Sequence, residues 1–270
     1  MDLKLTGQRA LVTGSSSGIG AGIARVLAAE GVRVLVHGRD EVRAKRVVRS
    51  IVEAGGEAGV ALGDLSTDAG ANSVAAEAIR QLGGIDILVN NAGGKSTVGN
   101  PAWFDIPWKD WIATYEQNVG AAVRMIHALV PGMLARGFGR VINIGSASAT
   151  QPEKGLGEYQ SAKAAMTNLS VGLARSLSHT GITVNTVTPG TIFTPAVELW
   201  LTHIAQQQNW TMAPAEIERR YASEYMQLCV DQLGRPEDIG RMVALLASPL
   251  SSYMTGSNYR VDGGQIRAVN

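Results

Sequence analysis

The chain has 270 residues, 45% of them hydrophobic and 17% charged, which excludes an unfolded chain and leaves enough apolar material for a core without disulfide or metal support. Its 24 basic and 23 acidic residues leave a formal charge of +1, so the basic excess of a nucleic-acid binder is missing. One cysteine, Cys229, rules out an intrachain disulfide and fits a reducing compartment.

The start, Met1 to Gly7, has no long apolar stretch behind a basic one, so no signal peptide is expected. No run of about 18 apolar residues follows; the expectation is a cytoplasmic protein with no membrane partner. Strands are predicted at 9–13, 33–37, 59–62, 85–89, 140–144, 183–187 and Asn258–Val261, and helices at 19–29, 41–54, 69–82, 110–135, 159–179 and Pro236–Ala247. Strands separated by long helical patterns form βαβ units with right-handed crossovers, hence an α/β, doubly wound parallel seven-stranded sheet in a single domain, 1–270. The stretch 85–89 is apolar nearly throughout, as a strand covered on both faces should be. One region breaks the alternation: 191–234 carries two helical patterns, 195–208 and 214–228, each opening on proline. Placed before the last strand, it is predicted to be a helical lid over the strand carboxyl ends.

Thr13-Gly14-Ser15-Ser16-Ser17-Gly18-Ile19-Gly20 joins the first strand to the first helix. Gly14 permits a tight turn, Gly18 lets backbone approach a pyrophosphate, and Gly20 lets the helix sit close to the strand. The helix N-terminus behind them favours an anion. Tyr159 and Lys163 are one helical turn apart on one face, where an ammonium favours the phenolate and lowers the phenol's pKa. Such a pair can pass a proton to or from a carbonyl oxygen.

With Asn90-Asn91-Ala92-Gly93, Tyr159-Gln160-Ser161-Ala162-Lys163, Pro189-Gly190-Thr191-Ile192-Phe193-Thr194 and Val261-Asp262-Gly263-Gly264 in order, the chain resembles the short-chain dehydrogenase/reductase family, in its 3-oxoacyl-[acyl-carrier-protein] reductase-like branch. The resemblance implies a Rossmann-like fold and four catalytic residues, Asn118, Ser146, Tyr159 and Lys163. Ser146 precedes Tyr159 by 13 residues and Asn118 precedes Ser146 by 28, as in the family. Tyr159 would be the general acid/base and Ser146 a donor to the substrate oxygen, with Ser148 its rival. Asn118 would hold a water in a relay to Lys163, and Lys163 would also bond the nicotinamide ribose.

For the cofactor, the resemblance points to Gly14, Ser15, Ser16, Ser17, Gly18, Ile19 and Gly20 at the phosphates, Asp64 and Leu65 beside adenine, and Asn91, Ala92 and Gly93 along its length. Pro189, Gly190, Ile192 and Thr194 would complete the nicotinamide end, and Asn90 would brace neighbouring strands. NAD-preferring relatives usually carry an acid where Gly38 stands; here Arg39 follows, which suits a 2′-phosphate, with Ser15, Ser16 and Ser17 as added hydroxyl donors. NADP(H) is therefore expected, NAD(H) remaining usable, and Asp40 is expected to cap the following helix. The function expected is hydride transfer between NADP(H) and a small-molecule carbonyl or secondary alcohol. The alternatives are an NAD-dependent, sugar- or steroid-like alcohol dehydrogenase and a non-catalytic cofactor-binding sensor or scaffold. Trp103, Trp108, Trp111 and the aromatics of the lid suggest an apolar substrate cleft; no metal is expected. A homotetramer, or a homodimer, follows from the resemblance.

Overall fold

The computed structural model describes residues 2–95 and 101–269; residues 1, 96–100 and 270 lie outside the description. In chain order it runs β1 (Arg9–Val12), α1 (Gly18–Ala29), β2 (Arg33–Gly38), α2 (Glu41–Glu53), β3 (Ala58–Leu62), α3 (Asp68–Leu82) and β4 (Ile87–Asn90). Next come α4 (Trp108–Tyr115), α5 (Ala121–Arg136), β5 (Gly139–Ile144), α6 (Gly157–Ser176) and β6 (Ile182–Pro189). The chain ends with α7 (Pro195–Gln207), α8 (Pro214–Arg220), α9 (Pro236–Ala247) and β7 (Asn258–Val261). The strands form one sheet in the order β3-β2-β1-β4-β5-β6-β7, and every pairing is parallel.

Strand alternation divides the interior into two cores. Ala10 and Val12 of β1, Val34 and Val36 of β2, and Ile87 and Val89 of β4 face one core. Leu11, Leu35 and Leu88, between them, face the other. The first core is closed by Leu27 of α1, Val47 and Ile51 of α2 and Val243 of α9. The second is closed by Val74 of α3 and by Met125, Leu129 and Met133 of α5. Fully burying one such leucine contributes about 1.5–3 kcal/mol, so both faces hold the sheet. The strand order reverses between β1 and β4, and a crevice opens where their carboxyl ends diverge.

Two expectations change in detail. The helix predicted over 110–135 starts at Trp108 and is interrupted by a π turn, Glu116–Gly120, before α5 resumes. The wider turn adds a residue without ending the helix, so no stop signal marks it. The helix predicted over 214–228 stops at Arg220 and continues as a second π turn, Tyr221–Tyr225. The region 191–234 is closed at its neck: Ile192 bridges Gly234, and the Phe193 N–H donates to the Gly234 carbonyl at 2.7 Å. Among the described residues one helical run, Trp108–Arg136, is long and apolar enough by length and composition to cross a membrane. Its Met125, Leu129 and Met133 are spent on the second core.

Candidate active site

Backbone groups at the switch point are fixed by buried side chains. Thr13, at the end of β1, donates through Oγ1 to the Val89 carbonyl, and the same oxygen accepts from the Asn91 and Ala92 N–H groups. Asn91 Nδ2 donates to the Thr13 and Gly14 carbonyls. Gly14 has φ +62°, and a Cβ there would lie 2.8 Å from Ala92 Cα, so the loop and the turn after β4 press together. A Cβ on Gly20 would lie 2.5 Å from the Gly14 carbonyl oxygen, which accounts for glycine at the close approach of α1 to the loop. Asn90 donates to Asn143 at 2.8 Å, joining β4 to β5 as expected.

Two adjoining cavities open over this floor. The larger, about 670 Å³, is walled by Ser16, Ser17, Gly18, Ile19 and Gly20 on one side and by Tyr159, Lys163, Thr194 and Leu199 on the other. The smaller, about 310 Å³, is walled by Ser16, Gly38, Arg39, Arg43, Asp64 and Leu65. Both include Gly14, Ala92 and Gly93. Ser17, the residue before α1, makes no capping hydrogen bond through its side chain, so the first N–H groups of the helix face the larger cavity without a side-chain acceptor. This is a cradle for a phosphate.

Ser146 follows β5, and Tyr159 and Lys163 stand on α6. Lys163 is buried and its Nζ donates to the Ile144 carbonyl at 2.9 Å. Burial lowers its pKa to about 8. Burial raises that of Tyr159, and the neighbouring Ser146 hydroxyl works the other way. The lowering expected beside Lys163 is therefore not produced by the protein's own groups alone. Nζ lies 5.8 Å from the Tyr159 ring centroid and points to a backbone carbonyl, so the protein's own groups keep Tyr159 a neutral phenol. Ser148 lies behind Ser146, their hydroxyls 2.8 Å apart. Asn118 sits in the π turn, fully committed through Nδ2 to the Thr114 and Gly94 carbonyls, while its Oδ1 accepts from the Gly94 N–H. Its side chain thus braces the turn after β4, beside any water that Asn118 would hold for the relay.

Other expected contacts fall outside the cavities. Ser15 is buried; its hydroxyl donates to the Val12 carbonyl and accepts from the His37 N–H, and its own N–H donates to the His37 carbonyl. Having no group to spare for a phosphate, it is corrected to a structural residue. Pro189 is buried within β6, and a Cβ on Gly190 would meet Asp262 Cα at 2.8 Å; neither lines a cavity wall. Ile192 packs into the first core and faces a separate hollow behind the site. Asp40 caps α2 as expected, accepting from the Arg43 N–H at 3.0 Å. Residues that sequence reasoning passed over are Arg43, on the first turn of α2, and His37, whose ring touches Gly14 and Gly63. A basic residue one turn beyond Arg39 was the available signal for Arg43; nothing in the sequence marks the contacts of His37.

In the excursion, Leu201, Tyr221, Ala222 and Leu233 form a third, small core with Val197, Ile217 and Met226. Trp200, Tyr221, Tyr225 and Trp210 make a chain of ring contacts, and Arg220 covers Trp210. Val197, Leu201, Tyr221 and Met226 are thus core first, and Thr194, Pro195, Ala196 and Leu199 are what the excursion gives to the cavity wall.

Residues 14–265 match the family described as enoyl-(acyl carrier protein) reductase. The uncharacterized oxidoreductase YvaG of Bacillus subtilis (strain 168) is 38% identical, with 100% of each chain covered. The L-sorbose reductase of Gluconobacter frateurii, solved with NADPH and L-sorbose, superposes with a TM-score of 0.92 at 32% identity, covering 100% of both chains. A 7 alpha-hydroxysteroid dehydrogenase solved with NADH and 7-oxo glycochenodeoxycholic acid gives 0.84 at 33% identity, covering 100% of this chain and 98% of the other. Sheet order, glycine turn and whole-length similarity agree: the chain is an oxidoreductase and belongs to the short-chain dehydrogenase/reductase family.

Proposed function

We propose that the chain reduces a ketone or aldehyde with NADP(H), and oxidises the corresponding alcohol in reverse, with Tyr159 moving the proton. The observation that carries this reading is one cavity bounded at one end by the uncapped start of α1 and at the other by Tyr159 and Lys163, with the Ser146 hydroxyl close enough to the phenol to lower its pKa. When bound, the nicotinamide supplies or takes the hydride. Ser16, Ser17, Gly18, Ile19 and Gly20 would hold the phosphates, with Thr194 opposite. Asn91, Ala92 and Gly93 would run along the ribose, with Lys163 bonding its hydroxyls. Asp64 and Leu65 would flank adenine. A half-buried neutral phenol is the form that gives a proton to a carbonyl oxygen, and the Ser146 hydroxyl steadies the charge developing there. Lys163, near 8, gains and loses its proton at ordinary pH and sits where it can replenish Tyr159.

The preference for NADP(H) is supported at Gly38. A Cβ there would lie 2.8 Å from Ser16 Oγ, so the place where NAD-preferring relatives carry an acid is filled by a hydroxyl donor. Arg39 is exposed and makes no ion pair among the described residues, while Arg43 lines both cavities. Two guanidiniums and two serine hydroxyls suit a phosphate monoester. The NADH-bound steroid dehydrogenase relative supports the second reading, an NAD-dependent alcohol dehydrogenase. Exposed Trp108 and Ile112 on α4 and Val171 on α6 support assembly as a homotetramer through these helices. The test is a panel of ketones, aldehydes, sugars and steroids assayed with NADPH and NADH. Turnover that is faster with NADPH supports the reading; turnover only with NAD(H) transfers it to the second, and none with either sinks both.

A further inference from the structure

His37 stands on β2, only 4% exposed, and its ring joins two loops far apart in sequence. Nδ1 accepts from the Gly14 N–H at 2.9 Å, and Nε2 lies 3.1 Å from the Gly63 carbonyl oxygen. A backbone N–H only donates and a carbonyl only accepts. Both contacts are therefore satisfied by one form alone, the neutral ring with its proton on Nε2. The ring has little room to turn away, because Ser15 pins the His37 backbone from both sides through its hydroxyl and its N–H. Gly14 has no slack either: it is pressed on Ala92 and carries φ +62°.

We propose that His37 is a pH-sensitive positioning residue for the phosphate loop. The neutral ring holds the Gly14 N–H in the floor of the dinucleotide cavity. Protonation at Nδ1 sets two donors against each other, pushes Gly14 away and weakens dinucleotide binding. The inference rests on the cofactor reading above and deepens it. The charges facing the ring come from three elements. Asp64, after β3, favours the imidazolium; Arg39, at the end of β2, opposes it; Asp40 and Arg43, at the start of α2, pair with each other at 3.3 Å. Burial is the largest influence and lowers the pKa below the ordinary histidine value of 6.5. The sign follows: the loop is intact above pH 6.5 and is lost as pH falls below it through the lower value of the folded protein.

The experiment has two arms. Nitrogen-15 NMR of the imidazole in the protein without dinucleotide should find Nε2 protonated and Nδ1 bare at neutral pH. A proton on Nδ1 overturns the proposal, whatever the enzyme's activity. In the second arm, NADH and NADPH binding are followed by fluorescence from pH 8 to pH 5 in wild type, His37→Asn and His37→Gln. NADH lacks the 2′-phosphate, which titrates near pH 6 in every variant alike. Asn can offer an oxygen near the Nδ1 position and Gln a donor toward Gly63. His37→Asn should bind within about threefold of wild type at pH 8 and His37→Gln about tenfold more weakly. Wild type should lose NADH affinity in acid, and His37→Asn should not. Parallel acid losses in wild type and His37→Asn overturn the proposal.

Discussion

The phosphate loop and the 191–234 excursion border the same cavity but are built on different terms. The loop is woven from backbone groups: Thr13, Asn91, Ser15 and His37 satisfy main-chain donors and acceptors, and a Cβ on Gly14 or Gly20 meets main-chain atoms at 2.8 Å or less. The excursion has its own core of four buried residues, a two-residue neck and few attachments to the sheet. Dense packing at the loop leaves one arrangement, suited to a ligand part that never varies. The separate small core of the excursion can be repacked without disturbing the sheet, suited to a part that differs among relatives. Tyr159 and Ser146 lie between, on α6 and after β5. Three effects are therefore separable: loss of chemistry, change of cofactor, and change of substrate affinity.

The largest effect should come from the middle region. Tyr159→Phe is expected to lower kcat by about 10³-fold or more, with NADPH binding nearly unchanged. Turnover close to wild type would remove the proton-transfer role. Ser146→Ala should cost about 10²–10³ in kcat, as removal of one oxyanion donor does. Lys163→Met should also abolish useful turnover yet raise stability. In the folded chain Lys163 titrates near 8, below its unfolded value, so the unfolded state binds the extra proton between about pH 8 and 10.5. The burden of the buried ammonium is greatest below that window and disappears above it. The variant should be more stable than wild type by about 1–3 kcal/mol at pH 7, the gain vanishing near pH 10.5, as urea melts at both pH values can check.

The cofactor corner comes next. Arg39→Asp should erase or reverse a preference for NADPH, a change of about 10–100-fold in the ratio of kcat/KM values. Arg43→Ala should move the ratio the same way by less, because its guanidinium also pairs with Asp40. If wild type already favours NADH, the reading of this corner fails.

The strands were legible because both faces are buried: alternate residues of β1, β2 and β4 serve different cores, so each reads as continuously apolar. Asp40 and the glycine turn were legible because capping and tight turns demand particular residue types. What the sequence hid depends on directions that composition does not encode. Ser15, Ser16 and Ser17 are identical in type, yet the first faces the core and the others the cavity. Lys163 stands one turn from Tyr159 as predicted, but its ammonium is aimed at the Ile144 carbonyl, so spacing alone did not reveal that the protein's own groups raise the phenol's pKa. The π turn that carries Asn118 adds a residue without ending the helix, so signals that mark only where helices start and stop pass over it.

The smallest effect should come from the neck of the excursion. Glu218 on α8 accepts from the Leu233 N–H and holds Arg235, at the start of α9, at 2.9 Å. Arg235 in turn covers the Phe193 ring at 4.5 Å, so one ion pair fastens both ends of the excursion. Gln at 218 keeps an acceptor for Leu233 but removes the charge facing Arg235. The guanidinium is 38% exposed and partly solvated, so the stability cost should be about 1 kcal/mol, less than for a fully buried pair. Glu218→Gln should loosen the wall formed by Pro195, Ala196 and Leu199, raising KM for the carbonyl about threefold, with kcat and the KM for NADPH within twofold. Steady-state kinetics with each substrate varied in turn separates the cases. Equal movement of both KM values would mean that loosening the neck also disturbs the loop, and the division between a fixed cofactor side and an independent substrate side would not hold.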